Sequence, residues 1–403
     1  MIAFKKNGEA WSWGYNGYGG LGVNDTQNKS SPVQIVGNHS FIFVMSGFAQ
    51  SYFIKSDNNV WCCGNGQYMG AGNTSDYSSP VVLIGNHQFI KISTSYSYSA
   101  GTITTVGLKS NGEAWSWGYN GIGQLGTGNT TSTSSPVKVI GNHSFIYVHS
   151  GHQYLGLSST FGIKSNGEAW CWGCNSYGAL GVNDTQNRSS PIQIAGNHSF
   201  ILIKSGFYFA MGLKSNGEAW SWGFNGTGQL GTGDTTRTSS PVKVIGDHSF
   251  IFIDVSQSSS LGLKSNGEVW SWGQNAYGQL GTGNTASTSS PVKVIGNHSF
   301  ISIKAFETSS LGLKSNGEIW SWGYNYYGQL GIGNTSNASS PVKVIGNHSF
   351  ISINTGMNIR ILDNSSWHQR PIGFIRKSGA WRRLIDIYIK KDSVWKTTDR
   401  LHK

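Results

Sequence analysis

Apolar residues in this chain come in short runs, broken by Gly, Asn and Ser before a helical turn could repeat. Phe250-Ile-Phe-Ile-Asp-Val is one such run, and it predicts a short strand. Leu261-Gly-Leu-Lys and Glu268-Val-Trp-Ser-Trp-Gly follow, separated by Ser265-Asn266-Gly267. Asn-Gly between two apolar runs predicts a tight hairpin. Pro291-Val-Lys-Val-Ile predicts a fourth strand, with Pro at its first residue, where no ladder donor is lost. No stretch carries apolar residues at helical spacing, so the pattern predicts an all-β protein.

The four-strand unit recurs. Lys-Ser-Asn-Gly-Glu-Ala-Trp-Ser-Trp-Gly, a Gly-rich stretch and Ser-Ser-Pro-Val-Lys-Val-Ile-Gly-Asn-His-Ser-Phe-Ile return with the first Trp at 11, 61, 115, 170, 220, 270 and 320. A period near 50 residues with about four strands each predicts a seven-bladed β-propeller. The chain opens in mid-repeat at Phe4-Lys-Lys-Asn-Gly-Glu-Ala-Trp. Closure by this N-terminal hairpin is therefore expected, with Pro341-Val-Lys-Val-Ile and Phe350-Ile-Ser-Ile supplying the strands it lacks. Ile359–Trp367 leaves open an eighth, decayed hairpin.

Trp-Gly-x-Asn-x-x-Gly-Gln-Leu-Gly-x-Gly, at Trp117–Gly128, Trp222–Gly233, Trp272–Gly283 and Trp322–Gly333, resembles the repeat of the regulator of chromosome condensation superfamily. The resemblance spans about residues 1–366 and implies a seven-bladed propeller over that length. It leaves function open, because the superfamily includes a nucleotide-exchange factor, enzyme inhibitors and many binding proteins. Its usual His after the strand Gly is mostly missing here, where Gly47-Phe-Ala-Gln and Gly206-Phe-Tyr-Phe stand. No exchange residue is carried over.

Residues that recur in every copy belong first to the frame. The paired Trp residues, two apart, are expected to fill the space between blades. His39, His87, His143, His198, His248, His298 and His348 sit in Gly-Asn/Asp-His turns and are expected to be structural. Glu9, Glu113, Glu168, Glu218, Glu268 and Glu318 are expected to pair with the recurring lysines across strands rather than act as catalytic carboxylates. Cys62 and Cys171 replace a recurring Ser, Cys63 a Trp, and Cys174 an aromatic residue or Gln. Cys171-Trp-Gly-Cys174 has no second pair nearby, so buried reduced thiols are expected, and no metal or cofactor. Nucleophile, phosphate-loop and HExxH motifs are absent, which argues against an enzyme.

Charge sharpens the picture at one end only. Charged residues make up 12% of the chain and the net charge is +11, against about 25% charged in ordinary domains. Arg370–Lys403 holds ten Lys/Arg and three Asp/Glu, a net of +7. A nucleic-acid partner is not expected from a bias confined to a tail. Neither a signal peptide nor a membrane-inserted span is expected, since no long apolar run occurs.

Function is expected where the copies differ. Two consecutive repeats carry longer connections after their first strand, Ser93–Thr105 and His149–Thr160, rich in Tyr, Ser and Gly. Tyr96, Tyr98, His149, His152, Gln153 and Tyr154, with Phe207 and Tyr208 from the next repeat, are the candidate binding residues. After residue 366 the pattern changes to Phe374–Arg383 and Ile387–Lys396, two small β-hairpins that resemble C-terminal segments of bacteriophage tail and other structural proteins. Residues 367–403 are thus expected to be a basic anchor, through Arg376, Lys377, Trp381, Arg382, Arg383, Tyr388, Lys390 and Trp395. The leading expectation is a non-enzymatic virion component binding a protein of the particle and a host-surface receptor. The alternative is a cellular propeller like a guanine-nucleotide-exchange factor or a chromatin adaptor, and outside a virion a cytoplasmic location is expected.

Overall fold

The computed structural model describes residues 2–4, 8–37, 39–47, 49–95, 100–151, 156–306, 308–326, 330–345, 353, 359–363, 366–370, 374–377, 380–383, 389–391 and 394–396. For residues 3–4, 13–14, 30–32, 100 and everything from 359 onward, only the backbone is described. The chain divides into two compact units, Met1–Gly356 and Met357–Lys403.

The first unit is a seven-bladed propeller. Blade one has β1 (Ile2–Phe4), β2 (Ala10–Gly14) and β3 (Lys29–Gln34); blade two has β4 (Phe41–Ser46), β5 (Gln50–Lys55), β6 (Val60–Gly64) and β7 (Tyr77–Val82). Blade three comprises β8 (Lys91–Thr94), β9 (Thr104–Leu108), β10 (Ala114–Gly118) and β11 (Thr133–Lys138). Blade four comprises β12 (Phe145–Ser150), β13 (Ser159–Lys164), β14 (Ala169–Gly173) and β15 (Arg188–Gln193). Blade five comprises β16 (Leu202–Ser205), β17 (Phe209–Leu213), β18 (Ala219–Gly223) and β19 (Thr238–Lys243). In blade six the strands are β20 (Phe250–Val255), β21 (Ser259–Lys264), β22 (Val269–Gly273) and β23 (Thr288–Lys293). Blade seven closes the series with β24 (Phe300–Ala305), β25 (Ser309–Lys314), β26 (Ile319–Gly323) and β27 (Ala338–Lys343). Every described blade is an antiparallel meander, so its first-to-second and third-to-fourth connections leave from the same end.

Two expectations about the strands change. β27 pairs with β26 of its own blade, and the N-terminal hairpin already holds β3 as its outer strand. Only one strand of blade one remains to be supplied. Phe350–Ser352 lies outside the described residues, and Ile353 beside it is buried. The Pro strand also begins earlier than expected. Pro291 lies inside β23, opposite the register shift between Ser271 and Gly273, where the missing N–H costs no ladder bond.

Each recurring residue has a mechanical role. Asn266 Oδ1 accepts the Glu268 N–H at 3.0 Å, which sets the hairpin turn. Asn275 is fully buried and organises the long third-to-fourth connection, donating to the Asn284 and Ala286 carbonyls at 3.0 Å and accepting the Leu280 N–H at 2.9 Å. Gly262 lies under the Phe250 ring, where a Cβ would come within 2.5 Å of an aromatic carbon. Gly231 adopts φ +69° and seats the Trp272 indole of the following blade.

The two Trp residues of a pair divide their work by depth. Trp117, Trp172, Trp222, Trp272 and Trp322 are fully buried between blades, as expected. Their partners two residues earlier are half-buried, because they stand at the strand start. Trp270, for example, lies between the Lys264 ammonium, 4.7 Å from its ring, and the His248 ring at 4.3 Å.

In the second unit β28 (Ile359–Asp363) pairs with β29 (Ser366–Arg370), β30 (Phe374–Lys377) with β31 (Ala380–Arg383), and β32 (Ile389–Lys391) with β33 (Val394–Lys396). The segment at 359–367 is thus a hairpin of this unit and belongs to no blade.

Candidate functional site

The end of the propeller that bears the first-to-second and third-to-fourth connections is rich in aromatic side chains. At the junction of blades four and five, Tyr177 packs against Tyr208 at 5.1 Å and Phe224 at 5.1 Å, with the Arg237 guanidinium 5.8 Å from its ring. Tyr177 comes from the third-to-fourth connection of blade four, Tyr208 from the first-to-second connection of blade five, and Phe224 directly follows β18. Phe224 donates its N–H to the Tyr208 carbonyl at 2.8 Å. Both tyrosines hold left-handed backbones, φ 61° at Tyr177 and 58° at Tyr208, a conformation that costs a non-Gly residue about 1–2 kcal/mol. Blades six and seven repeat the motif with Tyr277 and Tyr324 at 4.8 Å. Tyr15, Tyr177, Tyr277 and Tyr326 all remain substantially exposed at this end.

Of the residues singled out in the sequence, Tyr208 joins this cluster and Phe207 lies beside it, donating its N–H to the Gln257 carbonyl of blade six at 3.1 Å. His149 is not in a loop. It stands in β12, where its Nε2 accepts the Ser205 N–H at 3.2 Å and its Nδ1 lies 3.5 Å from Ser93 Oγ. An accepting Nε2 means a neutral imidazole protonated at Nδ1. Alternation along the strand places His149 two residues after Tyr147, on the face toward blade five. Ser93 likewise belongs to β8. Tyr96, Tyr98, His152, Gln153 and Tyr154 lie outside the described residues. Among the tail candidates, Arg376, Lys377, Trp381, Arg382, Arg383, Lys390 and Trp395 occupy hairpin strands, and Tyr388 lies outside the described residues.

Tyr177, Phe224 and Tyr277 were absent from the sequence candidates. They occupy the variable positions of Trp-Gly-x-Asn-x-x-Gly, which read as frame. The signal was that the first x is repeatedly aromatic, at Tyr15, Tyr119, Phe224 and Tyr324.

The recurring polar residues are structural. Each described turn histidine from His87 to His298 stacks on the Trp of its own blade at 4.2–4.5 Å. Burial and the lysine on the far side of the Trp hold these imidazoles below their usual pKa. Glu113, Glu268 and Glu318 each pair across strands with Lys138, Lys293 and Lys343 at 2.5–2.6 Å. The hydrogen bond from Lys138 brings Glu113 down to about 2, and Lys343 does the same for Glu318. Where the fourth strand offers Gln193 instead, Glu168 turns to Lys164 at 3.3 Å.

The four cysteines are free and buried. Cys171 Sγ donates to the Leu180 carbonyl at 3.2 Å, the bond Ser271 Oγ makes to Leu280 at 2.6 Å. Burial pushes the Cys62 thiol up to about 12 and Cys171 higher still, so both are unreactive thiols at neutral pH. Among the described residues no group of three or more His, Cys, Asp or Glu converges on a metal position.

The regulator of chromosome condensation (RCC1) repeat model matches residues 7–48, 111–156, 166–213, 216–261, 266–308 and 316–359. The ultraviolet-B receptor UVR8 of Arabidopsis thaliana is 28% identical over 195 residues, 47% of this chain and 42% of that protein. The probable E3 ubiquitin-protein ligase HERC4 of Mus musculus is 27% identical over 201 residues, 49% of this chain and 18% of that protein. The chain thus spans less than half the length of these relatives. Among solved structures, human WBSCR16 superposes with a TM-score of 0.72 at 17% identity, covering 85% of this chain and 94% of that one. Prp20p of Saccharomyces cerevisiae, solved in a study of its binding to Gsp1p and histones, gives 0.69 at 17% identity, covering 84% and 86%. At such identities the structures show the fold alone; the repeat matches, covering more than half of the chain, show the family. With its six matched repeats and its bladed architecture, this chain belongs to the RCC1 repeat family.

Proposed function

We propose that the propeller is a non-catalytic binding module that holds a protein partner on its aromatic end, centred on Tyr177, Tyr208 and Phe224. The observation that carries this reading is Tyr177. It bridges two blades, is 40% exposed, and is kept in a left-handed backbone beside an arginine. Aromatic rings and Arg at a desolvated centre supply most of the energy in protein interfaces. Phe207 stands beside this cluster in blade five. Tyr96, Tyr98, His152, Gln153 and Tyr154, which fall in the sequence between β8 and β9 and between β12 and β13, are carried as further candidates of this proposal.

The relatives favour a cellular adaptor over a virion component. UVR8, HERC4 and Prp20p are cellular proteins, and Prp20p is described with the protein partners Gsp1p and histones. The match to HERC4 reaches 18% of that protein, so ligase chemistry is not carried over. The virion reading rests on the three consecutive tail hairpins and their +7 charge, with residues 367–403 as the anchor and a host-surface receptor as the partner at the rim.

A photocrosslinking amino acid at position 177, with one at Asn266 on the opposite end as control, tests the proposal in the native source. A protein captured at 177 and not at 266, and lost in the Tyr208→Ala background, supports it. Equal capture at both ends rejects it.

A further inference from the structure

The first strands of neighbouring blades touch one another from β4 through β8, β12, β16 and β20 to β24, so they form the inner edge of the ring. Along this edge the blades are not equivalent. Counted from the recurring Phe41, Phe200, Phe250 and Phe300 as first, the fifth residue is Met45 in blade two, but Lys204 in blade five, Asp254 in blade six and Lys304 in blade seven. On the same count, from Phe41 and Phe89, the third residue is Phe43 in blade two and Lys91 in blade three.

Asp254 is 2% exposed and answers two ammoniums and one backbone N–H. It meets Lys304 Nζ at 3.1 Å, Lys204 Nζ at 3.7 Å and the Ala305 N–H at 2.9 Å. Among the described residues Lys91 has no such partner. Its ammonium lies 3.7 Å from the centre of the Tyr147 ring, and among the described residues no carboxylate pairs with it. The Tyr147 hydroxyl is itself committed to the Ile203 carbonyl at 2.6 Å. Among the described residues of this edge, Lys91, Lys204 and Lys304 stand with one carboxylate, Asp254, so in their charged forms they leave an excess of two positive charges. Burial pulls Lys91 and Lys204 below the usual lysine range, and each of the pairs Lys91–Lys204 and Lys204–Lys304 adds repulsion. Uncompensated charge in such a place is costly unless an anion answers it.

We propose that Lys91, Lys204 and Lys304 form a site for a small phosphate dianion, either inorganic phosphate or a phosphate monoester. A dianion cancels the excess of two charges, and lysine ammoniums, as separate point charges, suit an oxyanion approached from several blades. Asp254 then acts as the spacer that keeps Lys204 and Lys304 charged and oriented.

The experiment is thermal unfolding of the full chain in inorganic phosphate, in glycerol phosphate and in chloride, at one ionic strength. In the wild type, Tm climbs with the logarithm of the concentration of at least one phosphate. Lys91→Met replaces the ammonium over Tyr147 with an unbranched apolar side chain, holds or raises Tm in chloride and flattens the phosphate response. Titration calorimetry of the wild type with the same anions reads binding directly, should the variant fold poorly. A response to inorganic phosphate alone identifies the free ion, and a response to glycerol phosphate identifies an ester, either one supporting the site. A wild type indifferent to both, or an undiminished response in Lys91→Met, overturns it.

Discussion

Trp272 reaches across the gap between blades and donates its indole N–H to the Gln229 carbonyl of the preceding blade at 3.0 Å. Ser260 Oγ donates to the same carbonyl at 2.9 Å. Trp322 and Ser310 repeat both bonds on Gln279, at 2.9 Å each. Ring assembly therefore has a directional component on top of apolar burial. Trp272→Phe keeps much of the apolar area and leaves Gln229 still bonded by Ser260. The expected loss is about 1–2 kcal/mol, read from the urea midpoint. Trp272→Ala should cost about 3–5 kcal/mol, because a cavity is added.

Ser271 and Cys171 make one bond with different atoms. Removing the donor by Ser271→Ala leaves the buried Leu280 carbonyl short of a partner and should cost about 1–2 kcal/mol. Ser271→Cys should cost less than half of that, since blade four already accepts the thiol at this position. Equal losses for the two variants would show that volume, not the hydrogen bond, matters here.

Acid should weaken the propeller in two stages. The stacked histidines His39, His87, His143, His198, His248 and His298 all have folded pKa values below 6.5, through burial first and the neighbouring lysine second. The unfolded chain therefore binds protons before the folded one, and stability falls as the pH drops from about 7 to about 5. His298→Phe keeps the stack on Trp320 and should remove about a sixth of that slope. A separate loss begins below 4.5, where Glu113 and Glu318, held near 2 by their lysines, must be protonated. Denaturant melts at intervals of half a pH unit would resolve both stages.

Much of this was legible in advance because the repeat is written in residues with one conformational use. Asn266-Gly267 reads as a hairpin, Pro291 as a strand free of one ladder bond, and the Trp period as blades. Depth was not legible. Trp270 and Trp272 look alike in the sequence, yet one is buried between blades and the other lies between a lysine and a histidine. Strand ends were not legible either, which is why His149 reads as the start of a loop. The inner-edge charges escaped because Lys204 and Asp254 stand in different repeats, and their pairing exists only once the blades are ranged around an axis.

Asp254→Asn should be among the most damaging single changes. Burial pushes its carboxyl up, but Lys304 and Lys204 outweigh that and keep it ionised. The amide leaves two lysines facing each other without a counter-charge. The expected loss is about 3–5 kcal/mol, checked by chemical denaturation against Lys304→Met, which leaves Asp254 one lysine and should cost less.

A chain ending at Gly356 should keep the propeller's melting transition, because residues 1–356 form one compact unit. The same cut removes all three hairpins of the second unit. If those hairpins anchor the protein to a larger assembly, the truncated chain folds normally and fails to co-sediment with it. Co-sedimentation at the full level would remove the anchor role.

Tyr208 offers a way to separate binding from stability at the aromatic end. Its backbone is left-handed at φ 58°, a conformation glycine adopts without the roughly 1–2 kcal/mol that other residues lose. Its ring is half-buried against Tyr177, so removing it forfeits a comparable amount of packing. Tyr208→Gly should therefore leave Tm nearly unchanged while deleting the aromatic surface. Tyr208→Ala keeps the strain, loses the ring and should lower Tm. Both variants should bind the partner captured at position 177 at least tenfold more weakly. If Tyr208→Gly retains full affinity, this tyrosine is held in its strained backbone for packing alone, and the binding centre must be sought elsewhere on the rim.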